Sequence, residues 1–98
     1  MTVRHVVCFS WKPEVSEADV AGFEAMLREL PAKIPVIRTY RFGRDLGLAQ
    51  GNADFAIIAD FANEHDWRTY AQDPDHSIVI ARSRELFASR TAIQFALD

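Results

Sequence analysis

The sequence predicts an α+β fold: a four-stranded antiparallel sheet with helices packed on one face. The run Val3–Trp11 (VRHVVCFSW) is short and dense in β-branched and aromatic residues, as a strand requires. Val20, Phe23, Leu27 and Leu30 recur at spacings of three and four, which makes one apolar helical stripe. A second strand-like run, residues 54–61 (DFAIIADF), is followed by two separate helix-start signals, at Asn63 and at Asp73-Pro74.

The elements follow in order. The first strand stops at Lys12-Pro13; its odd positions carry Val3, His5, Val7, Phe9 and Trp11, and its even positions Arg4, Val6, Cys8 and Ser10. Ser16-Glu17-Ala18-Asp19 reads as a capping box opening the first helix, with Glu24, Arg28 and Glu29 opposite the apolar stripe. Pro31 and Pro35 are expected to end that helix, because proline lacks the amide a helix interior needs. Residues 35–43 (PVIRTYRFG) read as the second strand, and residues 43–51 as a glycine-bearing loop. Residues 54–61 form the third strand, bounded by Asn52 and Asn63. Asn63 caps a short helix carrying Trp67 and Tyr70 on one side. Asp73 caps the next, with Pro74 in its first position and Val79, Leu86 and Phe87 as its packing residues. Residues 91–97 (TAIQFAL) alternate Ile93, Phe95 and Leu97 against Gln94 as the last strand.

The order β-α-β-β-α-α-β is ferredoxin-like. Helices cover one face of such a sheet, yet Val6, Cys8 and Ile58 lie on the other. A partly apolar open face calls for a partner, and the expectation is a homodimer closed through it.

At 98 residues, with 49% hydrophobic and 26% charged residues, the chain reads as one globular domain, residues 1–98. Lys+Arg 11 against Asp+Glu 14 gives a formal charge of −3, which argues against nucleic acid or an anionic membrane as a partner. No apolar run is long enough to span a membrane, and the amino terminus has no charged-then-apolar leader pattern. One cysteine, Cys8, leaves no intrachain disulfide and no metal cluster, so a cytoplasmic location is expected.

His5, Tyr70 and His76 are the candidate chemical residues. Histidine exchanges a proton near neutral pH, and a tyrosine hydroxyl donates to a developing oxyanion. A helix dipole would favour a neutral, base-competent His76, whereas Asp73 and Asp75 would favour its cation. The plainer readings stand alongside: His5 as a satisfied core histidine, His76 as a group bonded to local backbone, Tyr70 as part of an apolar stripe with Trp67. His65, between Glu64 and Asp66, belongs to the solvated face. Nucleophile-elbow, phosphate-loop, dinucleotide and C-x-x-C motifs are absent, and the three histidines lack metal-ligand spacing.

The opening Val3-Arg4-His5-Val6-Val7, the Ile34-Pro35 step, Gly43-Arg44-Asp45, and Tyr70 followed by Asp73-Pro74-Asp75-His76 resemble the stress-responsive A/B barrel (Dabb) family over essentially the whole chain. The resemblance implies a homodimer whose two sheets form an α+β barrel, with a cavity between sheet and helices in each subunit. One branch, olivetolic acid cyclase, is a cofactor-free polyketide cyclase. Similarity to it places the catalytic histidine at His76, its assisting tyrosine at Tyr70, and pocket residues at His5 and Phe23. Leu27 and Phe55 stand where that branch has a tyrosine and a histidine, which implies a more apolar cavity.

Two functions follow as expectations. In one, a cyclase or lyase with no cofactor acts on a small hydrophobic carbonyl compound, with catalytic His76 and Tyr70 and substrate-binding His5, Phe23, Leu27 and Phe55. In the other, a stress-related or ligand-binding module has the same cavity, filled or occupied, and His76 only caps. A cofactor-free monooxygenase of the same fold would rest on Trp11 and Trp67, which are better explained as core.

Overall fold

β1 (Val3–Trp11) alternates as its sequence does: Val3, His5, Val7 and Phe9 are buried, and the residues between them are half-exposed. The structure, a computed structural model, describes residues 1–97. β1 is followed by α1 (Glu17–Lys33), β2 (Thr39–Arg44), β3 (Phe55–Phe61), α2 (Glu64–Gln72), α3 (Pro74–Leu86) and β4 (Phe87–Ala96). The four strands form one antiparallel sheet in the order β2-β3-β1-β4. This is the expected ferredoxin-like α+β fold, with the helices on the face that β1 turns inward. None of the described helices is long and apolar enough to cross a membrane.

Each helix begins where its cap sits. The Ser16 hydroxyl accepts from the Asp19 amide at 3.1 Å, and the Asp19 carboxylate accepts from the Ser16 amide at 3.0 Å. Asn63 Oδ1 accepts from the Asp66 amide, and Asp73 Oδ1 from the Asp75 amide, each at 2.8 Å. The α1 stripe Val20, Phe23, Leu27 and Leu30 is buried against Phe9, Phe55, Ile57 and Ala59 of the sheet. Phe9 is the centre of that core, stacked 5.1 Å from Phe55 and 3.7 Å from Phe87 between ring centroids.

Three boundaries differ from the sequence reading. α1 does not stop at Pro31 but passes through it to Lys33, and the Ile34 amide then donates to the Leu30 carbonyl at 2.9 Å. Pro31 costs the helix one amide-to-carbonyl bond, and continuing the helix through it buries both Leu30 and Ile34. β2 begins at Thr39 instead of residue 35, because Ile34 to Ile37 form a turn in which the Ile37 amide donates back to the Ile34 carbonyl at 3.1 Å. β4 begins at Phe87, not at residue 91. Ser10 pairs with Ser89 but Trp11 with Phe87, so Ala88 is an extra residue on β4. This bulge reverses the alternation and turns Phe87 toward the helices, onto Phe9 and Trp11.

The open face carries Val6, Cys8 and Ile58, joined by Ile93 and Phe95, which are 58% and 43% exposed. At one end of it Arg4, Asp60 and Thr39 stand side by side on three adjacent strands. The Arg4 guanidinium donates to both Asp60 oxygens at 2.8 and 2.9 Å, and the Thr39 hydroxyl donates at 2.6 Å. The Arg4 bond, with that of Thr39, holds the buried Asp60 carboxyl below its usual range. Its contribution is therefore complete at neutral pH and lost as pH falls below about 4. Asp60→Ala should lower the unfolding free energy by about 1–3 kcal/mol at pH 7, measured by urea denaturation. The gap between variant and wild type should close in acid.

Candidate functional site

One residue, Asp73, is both the carboxy-terminal cap of α2 and the amino-terminal cap of α3. Its amide donates to the Tyr70 carbonyl at 3.2 Å while its side chain caps the next helix, so no loop separates the two. Tyr70, three residues before this junction, and His76, three after it, therefore meet, with ring centroids 4.0 Å apart. From β1, His5 brings its ring to 6.0 Å from Tyr70 and 6.2 Å from Trp67. Phe61 backs Tyr70 at 5.0 Å.

His5 Nδ1 lies 2.8 Å from the Gln94 amide nitrogen on β4, which faces it across the sheet. The pairing holds in either tautomer, because the Gln94 amide can present its N–H or, turned over, its carbonyl oxygen.

His5, Tyr70 and His76 border a cavity of about 600 Å³ between the sheet and α3. Val7, Phe9, Phe23, Leu27, Ile57 and Val79 supply its apolar wall. Two polar atoms among its lining residues are buried with no hydrogen-bond partner: His76 Nδ1 and the Tyr40 hydroxyl. Buried polar atoms are rarely left unsatisfied without a reason, since each costs about 1–3 kcal/mol. Neither is held by a well-formed hydrogen bond; the Ala71 carbonyl lies near His76 and the Tyr70 hydroxyl near Tyr40.

Burial lowers the His76 pKa; the Ala71 carbonyl and the Asp73 carboxylate pull it up, the Arg90 cation pushes it down, and the net direction is down. Burial also takes His5 down to about 4, helped by Arg90 and His76. Tyr70 is pushed up to about 12 by burial, against the Tyr40 hydroxyl and Arg90, which both lower it. Tyr40 is raised further still by burial, with Tyr70 adding to it. The two phenols influence each other without a hydrogen bond of good geometry between them. At neutral pH the site therefore presents two uncharged imidazoles and two protonated phenols, one set able to accept protons and the other to donate them.

Of the sequence candidates, His5, Phe23, Leu27, Tyr70 and His76 line the cavity together. Phe55 does not. It is packed between Phe9 and Phe42, with centroids at 5.1 and 6.0 Å, one layer behind the wall. His65 is exposed on the far side of α2. Tyr40, Arg84 and Arg90 also line the cavity and were not singled out by the sequence. Tyr40 carried one available signal, since β2 alternation puts it on the helix-facing side opposite Ala59. Among the described residues, no group of three His, Cys, Asp or Glu side chains is arranged to hold a metal ion.

The depressed His5 pKa has a direct stability consequence. The unfolded chain takes up a proton near pH 6.5 and the folded one only near 4, so stability falls as pH drops through that window. The loss approaches ~3 kcal/mol at pH 4. His5→Gln should be markedly less acid-sensitive between pH 7 and 4.5, as read from urea midpoints.

The model of the stress responsive A/B barrel domain matches residues 3–97. A dimeric ferredoxin-like protein of unknown function from Thermobifida fusca is 43% identical, with a TM-score of 0.93 over 99% of this chain and 92% of that one. A dimeric protein of unknown function with a ferredoxin-like fold from Bacteroides fragilis is 26% identical, with a TM-score of 0.85 over 98% and 96% of the two chains. The hydroxynitrile lyase of Passiflora edulis shares the fold at 17% identity, with a TM-score of 0.90 over 99% and 94%. No curated protein matches the chain in sequence. The chain belongs to the stress-responsive A/B barrel domain family.

Proposed function

We propose that this chain is a homodimeric acid–base enzyme that takes a small apolar carbonyl compound into the cavity and removes a proton α to the carbonyl. His76 is the general base. Tyr70 positions it and donates to the developing enolate oxygen, and no cofactor enters the scheme. His5, Phe23 and Leu27 hold the substrate, and Phe55 supports the wall behind Phe9. The observation that carries this reading is the buried, unpartnered Nδ1 of His76 beside Tyr70 in an apolar cavity. A neutral imidazole there can take a proton without first surrendering one. That a hydroxynitrile lyase is built on the same fold supports a lyase-type activity for this scaffold.

Association through the open face is supported by Val6, Cys8, Ile58, Ile93 and Phe95 lying together on it, and by the dimeric relatives. The free, half-buried thiol of Cys8 fits a cytoplasmic location.

Exchange of the α-hydrogens of butyrophenone in D2O, followed by NMR, tests the chemistry. The protein should accelerate exchange over buffer, and His76→Ala should lose about 10²–10⁴-fold of that rate while keeping its oligomeric state. Tyr70→Phe should lose on the order of 10²-fold. Undiminished exchange in His76→Ala overturns the reading, and binding with no exchange makes the protein a ligand-binding module. In light scattering the chain should show twice its own mass at micromolar concentration. The double variant Ile93→Glu, Phe95→Glu should be monomeric.

A further inference from the structure

The cavity has two chemically unlike ends. Phe9, Phe23, Leu27 and Ile57 are buried, whereas Arg84, Ala88, Ser89 and Arg90 are exposed, so the mouth lies where α3 gives way to β4. No Asp or Glu lines the cavity, although acidic residues outnumber basic ones 14 to 11 in the chain. Arg4, Arg44, Arg68 and Arg82 are all paired with carboxylates. Among the described residues, Arg84 and Arg90 meet no carboxylate within ion-pairing distance; the same holds for Arg28, Arg38 and Arg41, but of these five only Arg84 and Arg90 line the cavity.

Arg84 alone has a local explanation, since a cation in the last turn of α3 offsets the helix dipole. Arg90 does not, because it sits on a strand. The pairing of Arg90 with the inward-facing Phe9 puts Arg90 on the helix-facing side of β4, at the cavity. Its charge reaches inward far enough to act on His5, Tyr70 and His76. Two exposed guanidinium groups on one rim give the mouth a positive charge that an anionic group on a guest would offset. Guanidinium donors also fit the two oxygens of a carboxylate in a planar fork.

We propose that Arg84 and Arg90 form an anion subsite at the cavity mouth, and that the ligand is an apolar carboxylic acid bound with its carboxylate there and its carbonyl end inward. The substrate class rests on the acid–base reading above, since it places the carbonyl of that reading toward His76.

The probes are 5-oxo-5-phenylpentanoate and its methyl ester, compared by titration calorimetry at low salt and by α-hydrogen exchange in D2O. The acid should bind about tenfold more tightly than the ester, as a charge-assisted contact at a rim allows, and added salt should narrow the gap. Arg84→Gln with Arg90→Gln should abolish the preference, and Arg90→Gln alone should reduce it. Both positions are exposed, and circular dichroism checks that the variants are folded. Equal binding of acid and ester, or a preference that survives the double variant, overturns the subsite. An arginine-dependent preference without exchange leaves the subsite standing and removes His76 as base. Exchange with no preference does the reverse. Absence of binding by both probes removes both.

Discussion

β1 lies between β3 and β4 and presents two unlike faces, one buried under the helices and one left open, and this alternation sets where every other element lies. Phe9 on the inner face anchors Phe55, Phe87 and Phe23; His5 on the same face becomes the floor of the cavity. Arg4, one residue away, turns outward to Asp60 and ties β1 to β3. A one-residue slip of this strand would exchange the two faces and put a guanidinium in the core, so the register is strongly specified.

The site gives up stability at its buried polar groups. His76 Nδ1 and the Tyr40 hydroxyl are buried without partners, and His5 and His76 are both biased toward their neutral forms by burial. A well-satisfied core would avoid these arrangements, and their concentration around one cavity is what sets it apart from the aromatic packing beside it. Asp73 makes the arrangement cheap to build. By ending one helix and starting the next, it brings Tyr70 and His76 together through local backbone geometry alone.

The two sides of the sheet also divide the labour. The open face is apolar in its middle and closed at one end by the Arg4–Asp60–Thr39 row, so the apolar surface has a polar border. The helix-facing side keeps the cavity, whose mouth at the start of β4 is remote in chemistry from that surface: arginine and serine instead of isoleucine and phenylalanine. The proposed association and the proposed ligand entry therefore rest on different residues.

Features set by short-range interactions were legible in the sequence. The caps at Ser16, Asn63 and Asp73, the α1 stripe, the element order and the grouping of Tyr70 with His76 around Asp73-Pro74 all follow from contacts within a few residues. What lay beyond reach depended on pairing between distant segments. Pro31 reads locally as a stop, and the burial of Ile34 overrides it. The start of β4 was hidden because the bulge at Ala88 breaks the alternation that marks a strand. The same break decides that Phe87 joins the core. Phe55 and Tyr40 are both aromatic strand residues, and only the three-dimensional packing of β2 and β3 against α1 puts one behind the wall and the other on it. Local chemistry thus determined which elements and reactive groups exist, while the tertiary structure alone decided which of them share a cavity, because cavities are bounded by residues far apart in the chain.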